Sequence, residues 1–318
     1  MLKSLKFVQG AVKKNVISPE MEHYRIADGR IVGYNGHMAL SAPLPLDIKA
    51  NPKADLFFKA VQNCTDAASI DLTPAGRLAV RSGAFKAFIP CLDDLVHTMN
   101  PVGDRFEVPE KFVASLRRVE PFVSEDASRP WSMGVYFEGQ LMMATNNVTL
   151  VQLWAGREMP KVNIPRFAVQ EIIRIGEQPE ALQSDGRSLT VHYSDGRWLT
   201  TSVYDTEWPM GIVAKVFAAE HEATPVANGL FAAVEKLAPF IDGKSAPLYF
   251  LDGRVATSLH EDDGASIEVE GLVGGPCFNL KQMQSVGEVA KTVDWSLYPG
   301  PCIFYGESLR GIILGRTA

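Results

Sequence analysis

The sequence predicts an α+β protein of three tandem domains, each with two helices packed on antiparallel sheets. Three observations support this fold class: hairpin turns recur at a fixed spacing, helix-like runs follow the same spacing, and period-2 apolar stretches lie between them. A chain of 318 residues is long enough for several cores. The repeat places the domains at residues 1–105, 106–222 and 223–318, the last of them short.

The hairpin turns carry the repeat. A dipeptide ending in glycine, followed by a polar residue and alternating apolar residues, begins at Asp28, Ala75, Glu138, Asp185 and Asp252. The glycine at 29 precedes the one at 139 by 110 residues, the interval from 76 to 186 is also 110, and that from 139 to 253 is 114. Turns within the first two domains are 47 residues apart. Each domain therefore divides into two half-modules.

The helix-like runs keep the same spacing. Three of them follow a proline, at Pro52, Pro109 and Pro165. Proline suits the start of a helix, because an N–H in the first turn has no partner within the helix and proline lacks that N–H. Asn279 is a suitable N-cap for the last. The predicted helices span residues 2–14, 53–63, 110–119, 166–175, 230–240 and 280–291.

Strands are predicted where apolar and polar residues alternate in a stretch that is bounded by Gly, Asp, Ser or Pro. These stretches include residues 188–193, 198–204, 247–251, 303–305 and 309–314, and the third domain has room for only two strands after Pro301. A single half-module could not bury both faces of its sheet. We therefore expect neighbouring half-modules to pair their sheets and to lay two helices on one side.

Composition excludes several classes of protein. The chain is 46% hydrophobic and 21% charged, which is typical of folded globular proteins rather than disordered ones. A net charge of −6 excludes a uniformly basic nucleic-acid coat but not a local basic surface. The four cysteines are far apart and show no zinc spacing, and no apolar run suits a signal peptide or a membrane span. We expect a reduced, cytoplasmic protein.

Charge is unevenly distributed along the chain. The six predicted helices contain fourteen Lys or Arg and five Asp or Glu, a net charge of +9, so the remainder carries −15. If these helices share one surface, that surface attracts a phosphate backbone without reading its sequence. The alternative is that the lysines serve only solubility on helix exteriors.

No catalytic residues, metal site or cofactor are predicted. The sequence lacks the nucleophile-elbow, phosphate-loop, dinucleotide and zinc-protease motifs. Residues 260–263, His-Glu-Asp-Asp, fit an acidic solvated turn better than a divalent-ion site. Adjacent carboxylates at Asp93 and Asp94 would point to opposite faces of a strand. An unrecognised enzyme on the tandem repeat remains an alternative.

Several segments resemble the bacterial DNA sliding clamp, the beta subunit of DNA polymerase III. They are Arg-Leu-Ala-Val-Arg-Ser-Gly at 77–83, Ala-Thr-Asn-Asn-Val-Thr-Leu at 144–150, Ile-Pro-Arg at 164–166, Tyr-Asp-Thr-Glu-Trp-Pro at 204–209 and Cys-Phe-Asn at 277–279. Each match is short, but their order and spacing agree with the family over nearly the whole chain. The compact length favours a phage-encoded version.

The resemblance implies a head-to-tail homodimer of DNA-clamp domains. Such a dimer forms a closed ring of six domains, and its helices line the hole around double-stranded DNA. The ring then tethers a polymerase to its template. A trimer of two-domain chains would also give six domains. The DNA-facing residues then expected are Lys13, Lys14, Lys53, Lys59, Lys111, Arg117, Arg118, Arg166, Arg174, Lys236, Lys281 and Lys291.

The resemblance also implies a cleft that binds short linear peptides of a DNA polymerase and a clamp loader. The matching positions are Thr145, Asn147, Val148, Thr149, Leu150, Pro209, Val213, Ile312, Ile313 and Leu314. By residue type alone, Val148, Leu150 and Val213 are equally suited to an ordinary core. Asn147 and Thr149 replace the Gly and Arg common in the family, and the C-terminal residues differ. A clamp-fold binding module that captures replication proteins without encircling DNA is therefore the alternative function.

Overall fold

The computed structural model describes residues 1–13, 18–93, 96–218, 222–241, 243, 246–260 and 262–317. Packing divides the chain into two compact units. The first unit combines residues 1–113 with 157–205, and the second combines 114–156 with 206–318. Each unit gathers parts of two predicted domains, and the boundaries predicted at residues 105 and 222 stay a prediction.

The α-helices and strands alternate along the chain, as the repeat predicts. The helices are α1 Leu2–Val8, α2 Ala54–Gln62, α3 Phe112–Val119, α4 Arg166–Ile175, α5 Met210–Val216, α6 Leu230–Leu237 and α7 Leu280–Gly287. The strands are β1 Arg25–Ala27, β2 Arg30–Tyr34, β3 Met38–Pro43, β4 Ser69–Leu72, β5 Leu78–Ser82, β6 Phe85–Ile89, β7 Asp104–Glu107, β8 Gly134–Thr145, β9 Thr149–Pro165, β10 Ala181–Ser184, β11 Ser188–His192, β12 Trp198–Ser202, β13 Thr224–Pro225, β14 Pro247–Leu251, β15 Arg254–Ala256, β16 Ser266–Glu268, β17 Cys277–Asn279, β18 Thr292–Asp294, β19 Pro301–Gly306 and β20 Leu309–Leu314.

The first unit holds two antiparallel sheets. Seven strands follow the order β1-β2-β3-β12-β11-β10-β7, and β4, β5 and β6 form a separate sheet. The pairing of β3 with β12 joins strands of the first and second predicted domains, so half-modules do share sheets as expected. Asp28 and Gly29 form a two-residue turn with φ of 54° and 70°, the geometry that a tight hairpin requires.

The second unit also holds two sheets. One has the order β13-β18-β19-β20-β9-β8, and the other has the order β16-β15-β14-β17. Helices α6 and α7 pack on each other and on strands of the second sheet. Gly139 lies within β8 with φ of 59°, so this repeat position is not the strand-starting turn that the sequence predicts. Strands β19 and β20 are the two expected after residue 301.

Several helices are shorter than the sequence predicts: α3 begins at Phe112, α6 ends at Leu237, and α1 and α7 also end early. Helix α1 ends at Val8 and continues only as a 3-10 turn to Ala11; within that turn the Glu171 carboxylate lies so close to Gly10 that no side chain would fit there. Lys13 therefore lies outside any helix, and Lys14 lies outside the described residues. Helix α7 ends at Gly287, where the Phe231 ring leaves no space for a side chain.

Candidate functional site

The predicted cleft is built on the pairing of β9 with β20 in the second unit. Leu150 stands opposite Ile312 and Thr149 opposite Ile313, and the Leu314 amide donates to the Val148 carbonyl at 2.9 Å. Two segments more than 150 residues apart in the sequence thus become neighbours. This pairing brings together six of the ten predicted cleft residues: Val148, Thr149, Leu150, Ile312, Ile313 and Leu314.

Helix α5 supplies two more of the predicted residues. Pro209 is its N-cap, and Val213 packs in the same buried apolar cluster as Leu150 and Ile312. This helix is not among the six predicted from the sequence. Its signal was present, since Met210, Val213, Val216 and Phe217 recur at helical spacing.

Aromatic side chains form much of this cluster. The Trp208 ring stacks on Tyr136 at 5.1 Å with an interplanar angle of 7°, and its indole N–H donates to the Trp131 carbonyl at 2.9 Å. The remaining buried members are Met143 and Ile303. The residues predicted to line the cleft thus adjoin an apolar cluster that these aromatic contacts stabilise.

The loop between β8 and β9 accounts for the remaining predicted residues. Asn147 has φ of 70°, a left-handed conformation that asparagine tolerates better than most residues, so this tight loop forms without a glycine. The Thr145 hydroxyl donates to the Thr149 carbonyl at 2.7 Å. Thr145 and Thr149 are almost fully buried, so their side chains stabilise the loop.

Ile313 lies outside the apolar cluster. Neighbouring residues of a strand point to opposite faces, so Ile312 faces the apolar cluster and Ile313 faces away, fully buried. Leu314 is 38% exposed, and Leu141, Met210 and Phe217 are partly buried around the cluster. The buried apolar cluster is therefore bordered by apolar side chains that are partly exposed.

The predicted DNA-facing residues occupy helices of both units. The helices within the described residues hold ten Lys or Arg and three Asp or Glu, a net charge of +7 against −6 for the chain. Lys59, Arg117, Arg118, Arg166, Arg174, Lys236 and Lys281 are helical. Lys53 is the N-cap of α2, Lys111 directly precedes α3, and Lys13 and Lys291 lie outside helices because α1 and α7 end early.

Several of these cations have carboxylate partners. The ion pairs are Lys53 with Glu22 at 3.4 Å, Lys59 with Asp55 at 3.6 Å, Lys281 with Glu125 at 4.0 Å, and Arg174 with Glu171. Hydrogen bonding to Glu171 raises the pKa of Arg174, so this guanidinium is charged at any physiological pH. The three lysine pairs are partly exposed and contribute little to stability, and all four pairs reduce the positive field that a polyanion meets.

The described residues also bear on the other sequence hypotheses. Among them, no group of three His, Cys, Asp or Glu side chains could hold a metal ion. Asp94, of the adjacent carboxylates at 93 and 94, and Glu261, of the acidic turn at 260–263, lie outside the described ranges. Where the chain is described, every helix is too short or too polar to cross a membrane.

The fold is that of the bacterial DNA sliding clamps. A Bacillus subtilis DNA polymerase sliding clamp matches with a TM-score of 0.85 and 15% identity. A Caulobacter crescentus sliding clamp matches at 0.83 and 18%, and a Bartonella birtlesii DNA polymerase III subunit beta bound to griselimycin at 0.81 and 16%. Each alignment covers 100% of this chain and 97% of the other. No protein-family model and no curated protein matches the sequence.

Proposed function

We propose that this protein is a DNA sliding clamp, a replication processivity factor that encircles double-stranded DNA and tethers a DNA polymerase. The observation that carries the proposal is the sliding-clamp fold along the whole chain. At these identities the likeness concerns the fold, and the chain's own charges and surfaces support the function. We expect no catalytic activity and a cytoplasmic location, in a bacterial or phage-infected cell.

The charge distribution supports DNA as the ligand. The helices carry +7 while the rest of the chain carries −13, so a helix-lined surface is basic in an acidic protein. Such a surface attracts the phosphate backbone without sequence preference. The ion pairs of Lys53, Lys59, Arg174 and Lys281 weaken the attraction, which is consistent with a protein that slides.

Two sheet edges support a head-to-tail homodimer. Strand β6 is an edge of the three-stranded sheet, where Phe88 is 47% exposed with the Lys86 ammonium 4.9 Å from its ring centroid. Strand β16 is an edge of another sheet and carries Glu268, with Glu270 following. An edge with a cation and an edge with anions suit strand pairing between two copies. Two such heterologous contacts close a ring.

The apolar cluster at α5 supports the partner-binding part of the proposal. We expect a DNA polymerase and a clamp loader to bind there through short linear peptides with apolar anchors. The alternative function, a clamp-fold module that captures replication proteins without encircling DNA, shares this cleft and differs in lacking the ring. Particle mass and DNA topology therefore separate the two functions.

The first measurement is solution mass by light scattering across a dilution series. We expect a particle of about twice the 34.8 kDa chain mass at micromolar concentration. The second mixes dilute protein with a nicked circular plasmid, concentrates the mixture so that rings close on the DNA, and isolates the plasmid by gel filtration. Protein that encircles the plasmid stays bound at moderate salt and leaves when a restriction enzyme linearises it. A strict monomer, or equal retention on both forms, would reject the encircling clamp.

Charge reversal tests the basic helices. The double variant Lys236→Glu, Lys281→Glu places four reversed charges in a dimer. If all four cations neutralise phosphates, the slope of log affinity against log salt should fall by up to about 3.6. The matched control reverses the exposed residues Lys49 and Lys161, which lie outside helices, and should leave the slope unchanged.

A further inference from the structure

The face of the sheet that carries the apolar cluster continues beyond it. Leu150 stands opposite Ile312, the next pair on this face is Gln152 with Arg310, and the Trp154 amide then donates to the Ser308 carbonyl at 2.8 Å. Alternate residues of a strand share a face, so Leu150, Gln152 and Trp154 form one row. At about 3.3 Å per residue, the row extends about 13 Å from Leu150 to Trp154.

Trp154 is a large apolar side chain held in a fixed position at the surface. The side chain is 56% exposed, so much of its apolar ring surface is in contact with solvent. Its indole N–H donates to the Gln140 side-chain oxygen at 2.9 Å, which restrains the ring. A restrained, exposed tryptophan loses little conformational entropy on binding, and such residues are enriched among the anchors of protein interfaces.

Arg310 lies between Trp154 and the cluster. Its guanidinium carbon is 4.3 Å from the centroid of the Phe217 ring, and Nε donates to the Gln152 side-chain oxygen at 2.9 Å. Within the described residues, this is the single hydrogen bond of the guanidinium, and the side chain is exposed. The two Nη groups are therefore available for the two oxygens of a carboxylate.

We propose that the partner peptide extends past the apolar cluster onto Arg310 and Trp154. An aspartate or glutamate of the peptide pairs with Arg310, and an aromatic or aliphatic residue further along packs on Trp154. The occupant is thus an extended acidic segment of another protein, with its acid at a fixed distance from its apolar anchors. This inference rests on the proposed function, because it requires the cluster to bind peptides.

Peptide display tests the inference without knowledge of the natural partner. A library of random twelve-residue peptides is selected separately on the wild-type protein, Arg310→Glu, Trp154→Ala and the control Arg187→Glu, which reverses an exposed charge in the first unit. Wild type and control should enrich apolar residues with an Asp or Glu at constant spacing. Arg310→Glu should enrich Lys or Arg at that position and keep the apolar residues. Peptides selected on Trp154→Ala should no longer be enriched in an aromatic or aliphatic residue beyond the acid.

Fluorescence anisotropy with the best acidic peptide then measures the effect. We expect Arg310→Glu to weaken binding about fivefold or more, and a peptide with Lys in place of the acid to restore it on this variant. Trp154→Phe should bind more tightly than Trp154→Ala. Thermal unfolding of each variant identifies any loss that is due to misfolding.

The outcomes separate this inference from the proposed function. The proposed contacts with Arg310 and Trp154 are rejected if the enriched apolar peptides show no preferred acid, or if Arg310→Glu selects the same peptides as wild type. Either result still supports peptide binding at the apolar cluster. The absence of enriched peptides on wild type rejects the cleft together with the extension. A change in particle mass on Trp154→Ala assigns the tryptophan to a contact between copies, which also overturns the proposal.

Discussion

Replacing Gly311 by alanine should destabilise the second unit, although the change adds only one methyl group. Gly311 lies in β20 beside Ile312, and a Cβ built there would be 2.5 Å from Phe304 Cε2 and 2.7 Å from the Leu150 carbonyl oxygen. Both distances are well inside ordinary contact, which begins near 3.4 Å. The alanine therefore forces either the ring or the strand to move.

Neither movement is free. Phe304 is fully buried and stacks on Phe122 with their centroids 6.3 Å apart, and β20 is hydrogen-bonded to β9 and β19. Overpacking of a closed core costs about 1–3 kcal/mol. With a urea dependence of about 2 kcal/mol per molar, the unfolding midpoint should fall by about 0.5–1.5 M. Fluorescence of Trp131 and Trp208 reports unfolding of this unit.

Gly211 provides a matched control on the other side of the cluster. It lies in α5, nothing is within 4 Å of a Cβ built there, and its φ is negative. Gly211→Ala should therefore stabilise the protein by up to about 1 kcal/mol, since alanine favours the helix and restricts the unfolded chain. A Gly311→Ala variant at least as stable as wild type, or a loss of stability in Gly211→Ala, would refute this account of the packing.

Three further predictions concern the rest of the molecule. Burial lowers the pKa of His192, which contacts Gln183 at 2.9 Å, so the unfolded chain binds the proton more readily. Stability should fall as pH drops below about 6.5, and this part of the dependence should be absent in His192→Gln in urea titrations. Burial and Asp294 raise the pKa of Cys302 to about 12, so native protein at pH 8 should leave it unalkylated, by mass spectrometry, while the partly exposed Cys64 reacts. Arg197→Ala should cost about 1–3 kcal/mol in thermal or urea unfolding, since the buried guanidinium bonds two carboxylates; an unchanged stability would contradict this.

The repeat predicted more of the fold than any single motif. Helix α4 spans the predicted residues, α2 differs by one residue at each end, and β14 and β20 have the predicted bounds. These elements depend on local signals: a proline before the helix, a glycine turn before the strand, and a clear apolar period. Each of these signals lies within the element or next to it in the sequence, so it can be recognised without knowing which distant residues pack against the element.

The predicted bounds were least accurate at the ends of α1 and α7. At each end a side chain distant in sequence lies against a glycine, Glu171 at Gly10 and Phe231 at Gly287. No sequence pattern near either glycine contains that information. Conversely, α5 was not predicted, and its apolar face packs on the cluster. Its seven residues are too few to be stable without that packing.

The sequence by itself determined the α+β class, the repeated order of helices and strands, and the excess of positive charge on helices. All three follow from residue types at short, regular intervals. The tertiary structure alone decided which of the predicted cleft residues lie together. It paired β9 with β20, separated Ile312 from Ile313 onto opposite faces, and aligned Arg310 and Trp154 with the apolar cluster. Strand pairing over such distances depends on the packing of the whole unit, which no local pattern records.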